Sequence, residues 1–154
     1  MSALPSQSRY IIGTEACERF SFYGMKSILM LYMTGHLLMS DNWSTSTLHI
    51  FVAMVYLLPL AGAWLADKVW GRYKTILYIS LLYCVGHGVL ATADLFHTIE
   101  ARRYILMAGL FIIALGAGGI KPCVSAFMGD QIPNKSPQLM TKAFNAFYWA
   151  INLG

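Results

Sequence analysis

Glu15, Glu18, Arg19 and Lys26 are four charges set in a run that is otherwise mostly apolar. A helix turns about 100° per residue; with Glu15 at zero, Arg19 falls at roughly +40°, Lys26 at roughly +20°, Phe22 at roughly −20° and Glu18 at roughly −60°. The four charges therefore share one stripe. Charges inside a membrane helix are costly, and they persist by pairing with one another or by facing a water-filled cavity. Glu15 and Arg19 stand at i and i+4 with the acid first, the favourable order for a pair. The other reading is an amphipathic helix lying on the membrane surface. Against it, Ser27–Met33 continues mostly apolar and the whole run is long enough to span.

A fifth charge, Lys121, follows Gly116-Ala117-Gly118-Gly119-Ile120 and precedes Pro122. The small residues allow a neighbouring helix to come close. Pro122 removes a backbone donor and is expected to loosen the helix there. Lys121 lies about 25 Å along a helix that begins near Tyr104, at 1.5 Å per residue. That is the depth expected for Glu15 and Glu18, so a salt bridge to one of them is geometrically open. The plainer reading is that Lys121 snorkels to the inner headgroups.

His49, Ala53, Tyr56 and Leu60 share a face by helical spacing. An imidazole can accept a proton near neutrality, so His49 is either a proton acceptor or an interfacial residue without a role. His36, His87 and His97 read as packing or surface residues. In the run from Gly62 to Thr75, Gly62 and Ala66 are small residues four apart, suited to close helix contact. Asp67 and Arg72 are placed to hydrogen-bond across a tight turn opened by Gly71.

Five apolar stretches position these residues: about 10–38, 48–69, 75–93, 104–128 and 139–154, the last still open at Gly154. A spanning helix needs about 20 residues, so the fold class is all-α, with polytopic transmembrane helices. A chain that stops inside an apolar helix reads as part of a longer protein. Composition agrees: 57% of the 154 residues are hydrophobic and 12% are charged, against about 25% charged in a soluble domain. The connector 66–75 holds Lys68, Arg72 and Lys74, and the connector 129–142 holds Lys135 and Lys142. The opposite connectors hold only Arg102 and Arg103. The bias of basic residues puts the first two inside the cell, and the N-terminus with them.

The net charge of +4 is spread along the chain, which argues against nucleic acid as a partner. Cys17, Cys84 and Cys123 sit in apolar runs without metal-ligand spacing, so no metal site is expected. No HExxH, no GxSxG and no paired aspartates in apolar helices speak for an enzyme. A receptor or structural bundle leaves the intramembrane charged stripe unexplained.

Together these residues resemble the proton-dependent oligopeptide transporters of the major facilitator superfamily. Glu15-Ala16-Cys17-Glu18-Arg19-Phe20 is similar to that family's ExxERF motif, and Gly119-Ile120-Lys121-Pro122 with Gly129-Asp130-Gln131 to its fourth-helix signature. Phe147 to Gly154 resembles its FYxxINxG signature. Gly62 to Arg72 resembles the superfamily-wide GxxxADxxxGR/K loop, which says little about substrate.

The resemblance implies two six-helix bundles, of which 1–154 is a partial N-terminal one, with the C-terminal bundle absent. It implies symport of protons with di- and tripeptides by alternating access, in a multi-pass protein of the plasma membrane. Protons are the coupling ion, without any cofactor, and the partners are the peptide and the lipid bilayer. Proton coupling carries over to Glu15, Glu18, Arg19, Lys121 and His49. Peptide binding carries over to Tyr23, Lys26, Tyr56, Lys121 and Asn152, and the conformational loop to Gly62, Asp67, Gly71 and Arg72. Three positions depart from the pattern: Phe22 where tyrosine is frequent, Lys26 where arginine is usual, and Cys123 where asparagine is common. A same-family carrier of nitrate or another small solute is the competing reading; such members often lack parts of ExxER.

Overall fold

The computed structural model describes residues 4–133 and 136–153, and these are almost entirely helical. Lys135 and Gly154, used above, lie outside the described residues. Helix α1 spans Ser6–Leu31 and runs on through a wide π turn, Tyr32–His36. It starts earlier than the apolar pattern suggests, because the polar residues at its start are adequate helix formers. It ends where Leu38 takes a φ of 50°, a left-handed conformation that costs a non-glycine residue energy.

The second stretch begins at Asp41, seven residues before the apolar periodicity does. The reason is a cap: the Ser40 side chain accepts the Trp43 N–H at 3.4 Å, and Asp41 adds negative charge to the first turn. This stretch is also two helices, α2 (Asp41–Leu57) and α3 (Pro59–Leu65), rather than one. Pro59 has no N–H to continue the ladder. A π turn, Ala66–Trp70, then leads to Gly71, whose φ of 76° and ψ of 159° suit glycine alone. The sequence reading of Gly71 as the turn-opening residue holds.

Helix α4 is Arg72–Ala91, followed by a short 3-10 turn, Ala93–Leu95. Helix α5 is Ile99–Asp130, and α6 is Pro137–Leu153. The expected loosening at Pro122 is not found: α5 runs unbroken through it. One ladder bond to the Gly118 carbonyl is lost, and packing sustains the rest. Among the described residues, three helical runs are long and apolar enough by themselves to cross a membrane: 41–70, 72–95 and 99–130. Helix α1 carries too many charges to qualify on composition, and α6 is 17 residues long.

The chain forms two compact units, one of residues 1–27 with 124–154 and one of residues 28–123. In the first, α1 and α6 line an apolar groove of about 760 Å³ that includes Ile12, Phe20, Trp149 and Leu153. In the second, α3 and α4 lie against α5 at its run of small residues. A Cβ on Gly62 would sit 2.5 Å from Gly119 Cα, and one on Gly116 would sit 2.7 Å from Tyr83 Cα. These approaches are closer than any side chain permits, which is what the small residues from Gly116 to Gly119 were expected to allow.

Candidate functional site

The charged stripe on α1 forms a buried ion cluster. Glu15, Glu18 and Arg19 are each at most 6% exposed. Arg19 Nε lies 3.2 Å from Glu15 Oε1, and the same guanidinium is paired with Glu18 Oε2. The predicted i, i+4 pair is therefore present, with Glu18 added to it. The guanidinium also lies 5.8 Å from the centre of the Phe22 ring and 5.9 Å from that of Tyr23. Phe22, where a tyrosine was noted as missing, is buried and supplies a ring face in place of a hydroxyl. Two carboxylates against one guanidinium leave the trio one unit negative when all three are ionised. Lys26 is half-buried on the same helix.

Lys121 belongs to the other unit. It is half-buried on α5, and its ammonium lies 5.0 Å from the centre of the Tyr56 ring on α2. Spacing along the chain had placed Tyr56 on a face with His49 and Lys121 beside a small-residue run, but had not paired the two. Nearby, Cys123 Sγ lies 3.9 Å from the Gly62 carbonyl, so this cysteine packs into the close contact between α3 and α5.

The remaining predicted residues are more open. His49, Tyr23 and Asn152 are exposed, and Asn152 Nδ2 donates 2.7 Å to the Tyr148 carbonyl of its own helix. Gly62 is buried, Asp67 and Gly71 are exposed, and Arg72 is half-buried.

One polar cluster was missed. Tyr32 Oη donates to Asp94 Oδ1 at 2.9 Å, His36 Nε2 lies 3.1 Å from the same oxygen, and Arg102 Nη1 lies 3.9 Å from it. Beside it, Arg103 donates from Nη2 to the Leu37 and Leu38 carbonyls at 2.8 Å each. His36, read as bland, thus tethers the end of α1 to the α4–α5 connection. No local spacing signals it, because the partners are 58 and 62 residues apart.

Residues 73–154 match PTR2, the POT family. The chain is 46% identical over 152 residues to a Drosophila melanogaster protein named peptide transporter family 1, covering 97% of this chain and 20% of that one. It is 42% identical over 155 residues to human solute carrier family 15 member 2, covering 99% of this chain and 21% of the relative. The chain thus spans about a fifth of the length of these curated relatives. It superposes on a crystal structure of the POT family transporter PepTSo with a TM-score of 0.87 and 46% identity, over 98% of this chain and 30% of that one.

Proposed function

The chain belongs to the POT family, and from that membership we propose that it is the N-terminal part of a proton-coupled symporter importing di- and tripeptides by alternating access. It is part of a multi-pass membrane protein, a transporter rather than an enzyme, as its relatives are. The observation that carries the functional reading is the buried trio Glu15, Glu18 and Arg19. Such a cluster inside a membrane is costly to keep and is retained where charge must be moved. A proton on either carboxylate brings the trio to neutrality, which links proton uptake to the electrostatics of α1.

In this reading Glu15, Glu18, Arg19, Lys121 and His49 couple protons. Tyr23, Lys26, Tyr56, Lys121 and Asn152 hold the peptide, with the lysines receiving its carboxylate end. Gly62, Asp67, Gly71 and Arg72 form the loop that changes conformation during transport. The open positions of Tyr23, Tyr56 and Asn152 support contact with a ligand. Protons are the only coupling ion and no further cofactor takes part. The protein resides in the plasma membrane with its N-terminus in the cytoplasm. The names of the relatives favour peptides over nitrate as the cargo.

Uptake of a radiolabelled dipeptide by the full-length protein in liposomes tests this. Saturable uptake that rises when an inward proton gradient is imposed, and that unlabelled dipeptide suppresses, is the expected result. Uptake indifferent to the gradient, or suppressed by nitrate and not by dipeptide, overturns it.

A further inference from the structure

We propose that His36 and Asp94 form a proton-responsive latch between the end of α1 and the α4–α5 connection, one that tightens when His36 takes up a proton and slackens when His36 gives it up. This goes beyond the symporter reading and does not depend on it.

Two distant parts of the chain meet here at a single oxygen. His36 Nε2 lies 3.1 Å from Asp94 Oδ1, and Tyr32 Oη donates to the same oxygen at 2.9 Å. The His36 and Tyr32 rings, four residues apart on the π turn, are stacked with their centres 5.2 Å apart. With Ile28, Leu31 and Gly35 these groups line an open hollow of about 500 Å³. The side chains of His36 and Asp94 are 51% and 58% exposed, so protons reach the imidazole from the surrounding water.

An imidazole is the side chain that ordinarily changes charge between about pH 5 and 8. When neutral it donates from Nε2 in only one of its two tautomers. When protonated it donates from Nε2 in every case, and a bond between opposite charges is about twice as strong as a neutral one. The stacked Tyr32 ring works in the same direction, because an aromatic face attracts a cation.

The other charges at the junction leave this sign unchanged. Arg102 of α5 opposes a second positive charge, but its Nη1 stands 3.9 Å from Asp94 Oδ1 and its Nε donates to the Phe96 carbonyl. Arg103 turns its guanidinium to the Leu37 and Leu38 carbonyls. Helix α2 also packs against the π turn. Among the described residues, Asp41 at its start forms no ion pair with His36, and neither does Glu100 in the first turn of α5. The Asp94 carboxylate therefore decides the outcome, and protonation of His36 strengthens the contact. The added strength is present below the imidazole range and is lost as the pH rises through it.

The latch fixes the chain where α1 stops. The Leu37 N–H donates to the Tyr32 carbonyl at 3.0 Å and the Met39 N–H to the Met33 carbonyl at 2.9 Å, on either side of the strained Leu38. In the orientation proposed above this junction faces the outside of the cell, so the latch senses the external pH.

The two amides report on the latch. Their hydrogen exchange is followed in the full-length protein at about pH 5.5 and about pH 8, the two sides of the imidazole range, with each rate divided by the intrinsic exchange rate at that pH. Protection in the wild type should be about two- to fivefold higher at the acid pH, the span of an exposed ion pair. His36→Gln keeps a donor but cannot gain a charge, and it should remove the difference between the two pH values. Asp94→Asn keeps an acceptor without its charge and should remove most of that difference. Equal protection of the wild type at both pH values overturns the proposal, and so does a His36→Gln protein that keeps the difference. A difference that His36→Gln removes and Asp94→Asn leaves whole would assign the effect to the Tyr32 ring and overturn the latch as well.

Discussion

One guanidinium serving two buried carboxylates makes Arg19 the residue on which the α1 cluster depends. Removing it leaves Glu15 and Glu18 buried together without their shared cation. Breaking a buried pair in this way costs about 3–5 kcal/mol. Arg19→Gln should therefore lower the thermal stability of the purified full-length protein by an amount of that order. Glu15→Gln should cost less, because Glu18 still faces Arg19. Unchanged unfolding of Arg19→Gln would show that the cluster is not held by this ion pairing. Lys121 is proposed to couple protons together with Glu15, Glu18 and Arg19. Lys121→Ala should abolish gradient-driven dipeptide uptake while leaving counterflow exchange partly intact, and wild-type gradient-driven uptake would remove Lys121 from the coupling path.

Among the elements, α3 and α5 meet with no room for a side chain. Gly62→Leu would push α3 off Gly119, and overpacking of this kind costs about 1–3 kcal/mol or more. Gly88 on α4 is the control, since a Cβ there meets nothing within 4 Å. Gly88→Ala should be neutral or mildly stabilising, because alanine favours the helix. Equal losses at both positions, seen in thermal unfolding, would mean that the close contact does not matter. The end of α1 is held differently. Arg103 gives charged hydrogen bonds to the Leu37 and Leu38 carbonyls, next to the strained Leu38 backbone. Arg103→Gln should cost about 1–2 kcal/mol, the low end for charged donors at a half-exposed site. The loss should appear as faster amide exchange around Met33–Met39, and unchanged exchange there would deny the clamp.

The whole molecule raises the matter of orientation. Basic residues crowd the connectors 66–75 and 129–142. The two opposing arginines are both occupied by partners: Arg102 donates to the Phe96 carbonyl at 2.7 Å and Arg103 clamps α1. The proposed orientation rests on the larger number of basic residues in the connectors 66–75 and 129–142. A cysteine at Lys135 should react with a membrane-impermeant thiol reagent only after cells are opened. Cys17 and Cys84 are exposed and must first be replaced by serine. Labelling of Lys135→Cys in intact cells would reverse the topology.

Short-range pattern was enough to read much of this protein. The stripe of Glu15, Glu18 and Arg19 follows from a fixed turn of about 100° per residue, and the close contact at Gly62 and Gly116–Gly119 from the absence of side chains. The all-helical class follows from apolar runs of spanning length, and the family from motifs whose residues are neighbours in the chain. Tertiary structure decided what joins distant residues. Tyr56 with Lys121, His36 and Tyr32 with Asp94, and Arg103 with Leu37 are pairs between elements 58 to 66 residues apart. Periodicity assigns a residue to a face of its own helix but says nothing about which residue of another helix that face will meet. The unbroken path of α5 through Pro122 has the same cause: one lost backbone bond is a local fact, and the packing that makes it tolerable is not.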